Sequence, residues 1–220
     1  MKNINVINNT GNNVNVTVNE KDNGIQILID TVYNNKKRLP ELKQYDHFFD
    51  DDGEEYILCE HFEDGTVSVL RADLLDKKMV FGNNNNWRES SWREYLNGDY
   101  LAALERKFGF ENIVEHRVDL TSMDGFDDYG YTMDKVAIRT FDEYRGTSKG
   151  VGLVNEGEFL ATPNQTPSRK NTTYVQVVGV GGYVVYDDCS CDSYGVRPFF
   201  FLKSSVFVSL DAWSFGQQIK

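Results

Sequence analysis

Asp187-Asp-Cys-Ser-Cys-Asp-Ser-Tyr-Gly-Val-Arg-Pro-Phe-Phe-Phe-Leu202 is the stretch on which the reading of this chain turns. Acidic, sulfur-bearing and aromatic residues run into Gly195, where a missing Cβ lets the chain turn or approach another backbone. Val196 to Leu202 is an apolar run too short for a free helix and reads as a buried strand. Arg197 interrupts that run. A guanidinium among Val, Pro and three Phe must be met by carboxylates or carbonyls, because an unpaired buried charge is costly, so Arg197 is expected as a structural clamp at the edge of a core.

Upstream, Tyr174-Val-Gln-Val-Val-Gly-Val and Gly182-Tyr-Val-Val-Tyr flank a Gly-rich turn and predict two strands. Gly146, Gly150, Gly152, Gly157, Pro163 and Pro167 break every element between 146 and 173, which reads as a long irregular loop. Lys135-Val-Ala-Ile-Arg is a short strand, and Thr140-Phe-Asp-Glu-Tyr-Arg a capped helical turn. Residues 83–109 are helical: Ser91 caps with Glu94 reaching back, Asn97-Gly98 is a stop, and Asp99 caps a second helix with a stripe at Leu101, Leu104 and Phe108. At that spacing Trp87 and Trp92 read as core anchors. Tyr56 to Phe62, a Glu-Asp-Gly turn and Thr66 to Leu70 predict a hairpin, followed by a strand-like Met79-Val-Phe; Val206 to Leu210 and a Trp213 cap close the chain.

At the front, Ile4, Val6, Val14, Val16, Val18, Ile25, Ile27 and Ile29 alternate with polar residues, and turn signals stand at 8–13 and 21–24. Two or three short strands with one apolar face follow, to be packed on the next domain or on copies of the chain. Asn34 to Pro40 is a short basic connection, read as solvated, and marks the boundary between an N-terminal β-strand segment (1–38, attachment or oligomerisation) and the main domain (39–220).

Among 220 residues, 23 basic stand against 34 acidic for a formal charge of -11. Such a surface repels phosphate backbones and anionic membranes, so neither nucleic acid nor membrane insertion is expected. The first residues lack the apolar core of a signal peptide, which places the chain in the host cytoplasm or, after assembly, in a particle. Cys59, Cys189 and Cys191 are read as reduced thiols. Cys189-x-Cys191 in a strand would put both sulfurs on one face, suiting a soft metal, but no further ligands are evident nearby. Asp124, Asp127, Asp128 and Asp134 lack the spacing of a calcium-binding loop, and Met123 to Tyr131 is expected as a solvated loop. His47, His61 and His116 stand in no nucleophile turn, and no phosphate-cradling glycine motif occurs. No catalytic residue, cofactor or metal is expected.

Trp87-Arg-Glu-Ser-Ser-Trp-Arg-Glu-Tyr-Leu-Asn, Phe108 with Ile113, Asp134-Lys-Val-Ala-Ile-Arg-Thr-Phe-Asp-Glu-Tyr, the paired strands and Gly195-Val-Arg-Pro occur in an order that resembles an uncharacterised family of C-type-lectin-like domains from Firmicutes and their phages. That family is related in fold to formylglycine-generating enzyme and phage tropism determinants. The resemblance covers about residues 45 to 205. It implies an α+β fold in which two helices pack on twisted antiparallel sheets, here preceded by a small β-hairpin segment, and a non-catalytic scaffold whose loops before the last strands contact the partner. Oxidase relatives carry a more widely spaced cysteine pair, and Phe159-Leu-Ala-Thr-Pro replaces a Trp-Leu-Arg-Ser-like stretch.

The expectation is a phage or prophage structural protein, oligomeric and in contact with other phage structural proteins, whose lectin-like domain binds a host-surface glycan or protein. Tyr183, Tyr186, Asp187, Asp188, Asp192 and Tyr194 are the candidate contacts, tyrosine for contact area at low entropy cost and aspartate for hydrogen bonds to hydroxyls. Tyr129, Tyr131 and Arg169 are secondary candidates. The alternatives are a cytosolic acidic protein inhibiting a basic host defence enzyme, and a metal-dependent oxidase built on the cysteine pair.

Overall fold

The computed structural model describes the backbone of residues 2–7 and 13–18 and the whole of residues 36–211. It is a mixed α+β structure with antiparallel sheets. β1 (Lys2–Ile7) and β2 (Asn13–Val18) form a hairpin whose register sets Ile4 opposite Val16 and Val6 opposite Val14. The strand expected at Ile25 to Ile29 and the Trp213 cap lie outside the described residues.

The principal sheet has eight strands. β3 (Lys36–Arg38), β4 (His47–Phe49), β5 (Glu55–His61) and β6 (Thr66–Arg71) come first in the chain, then β7 (Ile113–Val114), β8 (His116–Asp119), β9 (Tyr131–Asp134) and β10 (Val136–Ala137). β11 (Glu158–Pro163), β12 (Tyr174–Val178), β13 (Val184–Asp188), β14 (Phe199–Lys203) and β15 (Phe207–Ser209) complete the set. The spatial order is β10-β14-β6-β5-β4-β15-β3, with β7 also on β14; β11-β12-β13 and β8-β9 are separate sheets. Lys36–Arg38 thus form a strand paired with β15 rather than an irregular connection, and the Lys37 and Arg38 side chains are exposed as their charge leads one to expect.

Tyr56 to Cys59 and Val67 to Leu70 are buried without a break, because alternate residues feed two different faces. Tyr56, Leu58, Val67, Val69, Phe200 and Leu202 join the main core, whereas Ile57, Cys59, Leu70 and Phe199 pack beneath Val151. Tyr56 meets Phe108 and Phe200 edge-on at centroid distances of 5.5 and 5.7 Å.

The helical region is two short helices that meet at a kink. α1 (Ser91–Tyr95) runs through a π-helical turn, Leu96–Tyr100, into α2 (Leu101–Phe108). Ser90, not Ser91, is the cap: its Oγ accepts from Trp92 N at 3.2 Å and donates to Phe81 O at 2.7 Å. The first helix breaks at Gly98, as Asn97-Gly98 predicts, and a second follows, but Asp99 does not cap it. Gly98 leaves helical geometry (φ -108, ψ -106), while the Asn97 amide bonds Val136 O and N at 2.8 and 3.2 Å and so fastens the widened turn to β10. α3 (Phe141–Thr147) carries the capping box of Thr140 and Glu143 that its sequence predicts.

Met79 to Phe81 is not a strand, because Phe81 turns into the core against Trp87 and Phe159. The glycine- and proline-rich stretch 146–173 contains β11, buried along its whole length; pairing with β12 satisfies a backbone that local propensity does not favour.

Trp87 and Trp92 are fully buried. Asp134 is buried with them and accepts from Trp87 Nε1 (2.9 Å), Thr132 Oγ1 (2.7 Å) and both Nε and Nη2 of Arg93 (2.9 and 2.7 Å). Asp134→Ala orphans two buried donors and a cation, and urea titration is expected to show a loss of about 3–5 kcal/mol, with a smaller loss for Asp134→Asn. Equal losses in the two variants would mean that the charge is immaterial.

Candidate functional site

The three-stranded sheet places β11 inside and β13 at its edge, and among the described residues no strand pairs with the outer side of β13. The register sets Gln176 opposite Tyr186 and Tyr174 opposite Asp188, so these four side chains share one face. The rings of Tyr174 and Tyr186 are 5.3 Å apart and tilted by 55°. Gln176 Nε2 donates to Asn164 Oδ1 at 2.9 Å beneath them.

Tyr183 and Tyr186 are 59% and 57% exposed and Tyr174 is 36% exposed. Tyr183 lies on Gly179, where a Cβ would stand only 2.4 Å from its ring, so the close approach requires glycine. Gly179 N also donates to Tyr183 O at 2.9 Å, closing the turn through Gly181 and Gly182, both at positive φ.

The acidic residues divide into two kinds. Asp187 is structural: Oδ1 accepts from Asp188 N (2.7 Å) and Oδ2 from the Tyr194 hydroxyl (2.7 Å). Tyr194 packs edge-on against Phe159 at 5.2 Å, and burial reinforced by the Asp187 bond pushes its phenol up to about 12. The Asp188 carboxyl, held by Ser190 Oγ and N at 2.7 and 2.8 Å, lies below the usual carboxylate range. Asp192 is exposed in the turn that follows.

The secondary candidates serve the loops. Tyr129 OH donates to Asn85 Oδ1 (2.9 Å), and Asn85 Nδ2 donates to Tyr174 O (2.7 Å) and Gln165 O (2.8 Å), so Tyr129 braces the aromatic face from behind. Tyr131 lies beneath the Arg117 guanidinium at 4.5 Å. Arg169 covers Phe126 at 4.4 Å and reaches Asp124 at 3.3 Å. Asn85, Asn164, Tyr174 and Gln176 carry no local signal for this site. A fully buried asparagine in the run Asn83 to Asn86 is recognisable only from the backbone groups it joins.

The cysteines stand differently from expectation. Cys189 and Cys191 lie in the turn after β13, not in a strand, with Cys189 buried and Cys191 partly exposed. Burial pushes the Cys189 thiol up and carries that of Cys59 to about 12. Among the described residues no group of three His, Cys, Asp or Glu is placed to hold a metal ion. His47 Nδ1 pairs with Glu55 on the surface at 2.7 Å, and His61 Nε2 donates to Leu42 O at 2.9 Å. His116 stacks on Phe201 at 4.5 Å with neither nitrogen partnered, and burial pushes its pKa down to about 4.

No protein-family model, curated protein or solved structure matches this chain.

Iodoacetamide on the native protein is expected to alkylate Cys191 first and to spare Cys59 and Cys189, as read by peptide mass spectrometry. Comparable labelling of Cys189 would mean that the turn opens. The unfolded chain binds a proton at His116 near pH 6.5 and the folded chain only near 4, so this contribution to stability is complete above 6.5 and is lost as pH falls toward 4. Urea midpoints across that window should fall more steeply for the native protein than for His116→Phe; parallel curves would contradict the burial of a neutral ring.

Proposed function

We propose that this chain is a non-catalytic binding module on a C-type-lectin-like domain and that the β13 edge takes a host-surface glycan or protein. The setting is that of a phage or prophage structural protein, with β1 and β2 in the segment that attaches or oligomerises it. One observation carries the reading. Tyr174 and Tyr186 are exposed and in ring contact on one face of a sheet edge, with the half-buried Asp188 opposite Tyr174 and the exposed Tyr183 in the turn that enters β13, while Asn85 holds the Tyr174 carbonyl and Gly179 closes the turn.

Exposed aromatic side chains grouped on one surface mark an interaction site more often than chance. Braced tyrosines lose little conformational freedom when a partner covers them. Their faces suit the apolar side of a sugar ring, and carboxylates accept from its hydroxyls, a combination that favours a glycan. The net charge of -11 supports a second reading, an acidic protein that captures a basic one.

Tyr186→Ala should weaken binding to host cell-wall glycan by more than about tenfold, or about 1.4 kcal/mol, in saturation-transfer NMR or calorimetry, with the thermal midpoint unchanged. Binding of the native protein should vary little with salt. Full binding by the variant would remove this face from the site, and capture of a basic protein with an affinity that collapses in salt would establish the acidic-partner reading instead.

A further inference from the structure

Two guanidiniums are buried beneath the loop that joins α3 to β11. Arg139 follows β10 and Arg197 precedes β14, and each is 2% exposed. Both line a cavity walled by Gly152, Leu153, Glu158 and Gly179, with room for about one water-sized body. The cavity lies under the turn that carries Tyr183, and Leu153 closes on Gly182 above it.

The hydrogen bonding of these two side chains is incomplete. Arg197 donates from Nε to Arg71 O and from Nη1 to Gly152 O, both at 3.0 Å, and no carboxylate touches it. Its Nη2 meets no acceptor among the described residues. Arg139 donates from Nη1 to Thr147 Oγ1 at 2.9 Å and from Nη2 to Glu158, while its Nε is buried without a partner. A guanidinium offers five N–H donors and accepts nothing, so the unfilled positions are all donors.

Charge runs the same way. Glu158 is the buried carboxylate of the lining, set against two buried cations; Glu156 at the rim is taken by Lys78. Glu143, tied to Thr140 N and Oγ1, reaches Arg139 only through its charge. Desolvation depresses Arg197 to about 10, as expected of a guanidinium short of anionic partners.

We propose that this cavity is a binding site for a small monovalent anion of halide size, chloride in the first instance, held by the guanidiniums of Arg139 and Arg197. Water is the poorer occupant, since it brings two hydrogens to a cavity whose unfilled hydrogen-bonding positions are donors. The anion completes the solvation of both cations and, through the Arg197 bond to Gly152 O, ties the loop before β11 to the entry of β14. A carboxylate oxygen has the same acceptor chemistry, and the halide is distinguished from it by the measurements below.

The test uses the full chain. Crystals soaked in bromide should show an anomalous peak between Arg139 and Arg197. In solution the thermal midpoint should rise as chloride replaces gluconate at constant ionic strength. Arg197→Lys, which keeps the charge and loses the Nη2 donor, should require about tenfold more chloride for the same rise. Glu158→Gln, which removes the competing carboxylate, should require less. The wild-type measurements decide the matter even if a variant fails to fold. No bromide peak, or a midpoint equal in chloride and gluconate, overturns the proposal in favour of water; stabilisation by acetate without a bromide peak overturns it in favour of a carboxylate ligand.

Discussion

Phe200 is the joint at which the eight-stranded sheet meets the helical segment. Its ring touches Tyr56 of β5 and Phe108 of α2 at once, at 5.7 and 6.0 Å, and its strand is hydrogen-bonded to β6 on one side and to β7 and β10 on the other. Pleating sends its neighbours Phe199 and Phe201 to the opposite face, where they close around His116. Burying a polar group beside such a strand is costly unless it is hydrogen-bonded, and apart from the neutral His116 ring several buried polar side chains of the fold act as hydrogen-bonded structural points.

Those points fasten loops to regular elements. Asp50 accepts from Asp52 N and Glu54 N at 2.9 Å, from Tyr56 OH at 3.1 Å and from Lys107 Nζ at 2.7 Å, joining the β4–β5 turn to α2. Asp134 does the same between β9 and α1, and Arg197 between β6, β14 and the loop before β11. Burying charge in this way adds little net stability over an apolar core, but it restricts the loops to one arrangement. Arg139 and Arg197 differ, with donors that the described residues leave without acceptors.

The aromatic edge depends on that rigidity. Tyr174 is held through its carbonyl by Asn85, which Tyr129 holds in turn, while Tyr183 rests on Gly179 and Tyr186 on a strand whose partner is wholly buried from Val175 to Val178. Because the order is already present, covering this surface costs little further conformational entropy. The cavity beneath the same turn gives the loop 148–157 a part in that support, since Gly152 O and Leu153 are among its attachments.

Much of the local structure is legible in the residues alone. The β5–β6 hairpin, the Leu104 and Phe108 stripe, the Thr140–Glu143 cap and the β12–β13 pair follow from periodicity, capping and turn chemistry, which act between near neighbours in the chain. The remainder is decided at long range. The kink after Asn97 is fastened by Val136, a glycine- and proline-rich stretch becomes β11 because β12 pairs with it, and a buried asparagine at 85 gains its meaning from Tyr129 and Tyr174. Sequence by itself determined where elements begin and which faces are apolar, because propensity and side-chain period are local. Tertiary structure alone decided which buried polar groups meet and which tyrosines share a face, because hydrogen-bond satisfaction and strand register link residues tens of positions apart.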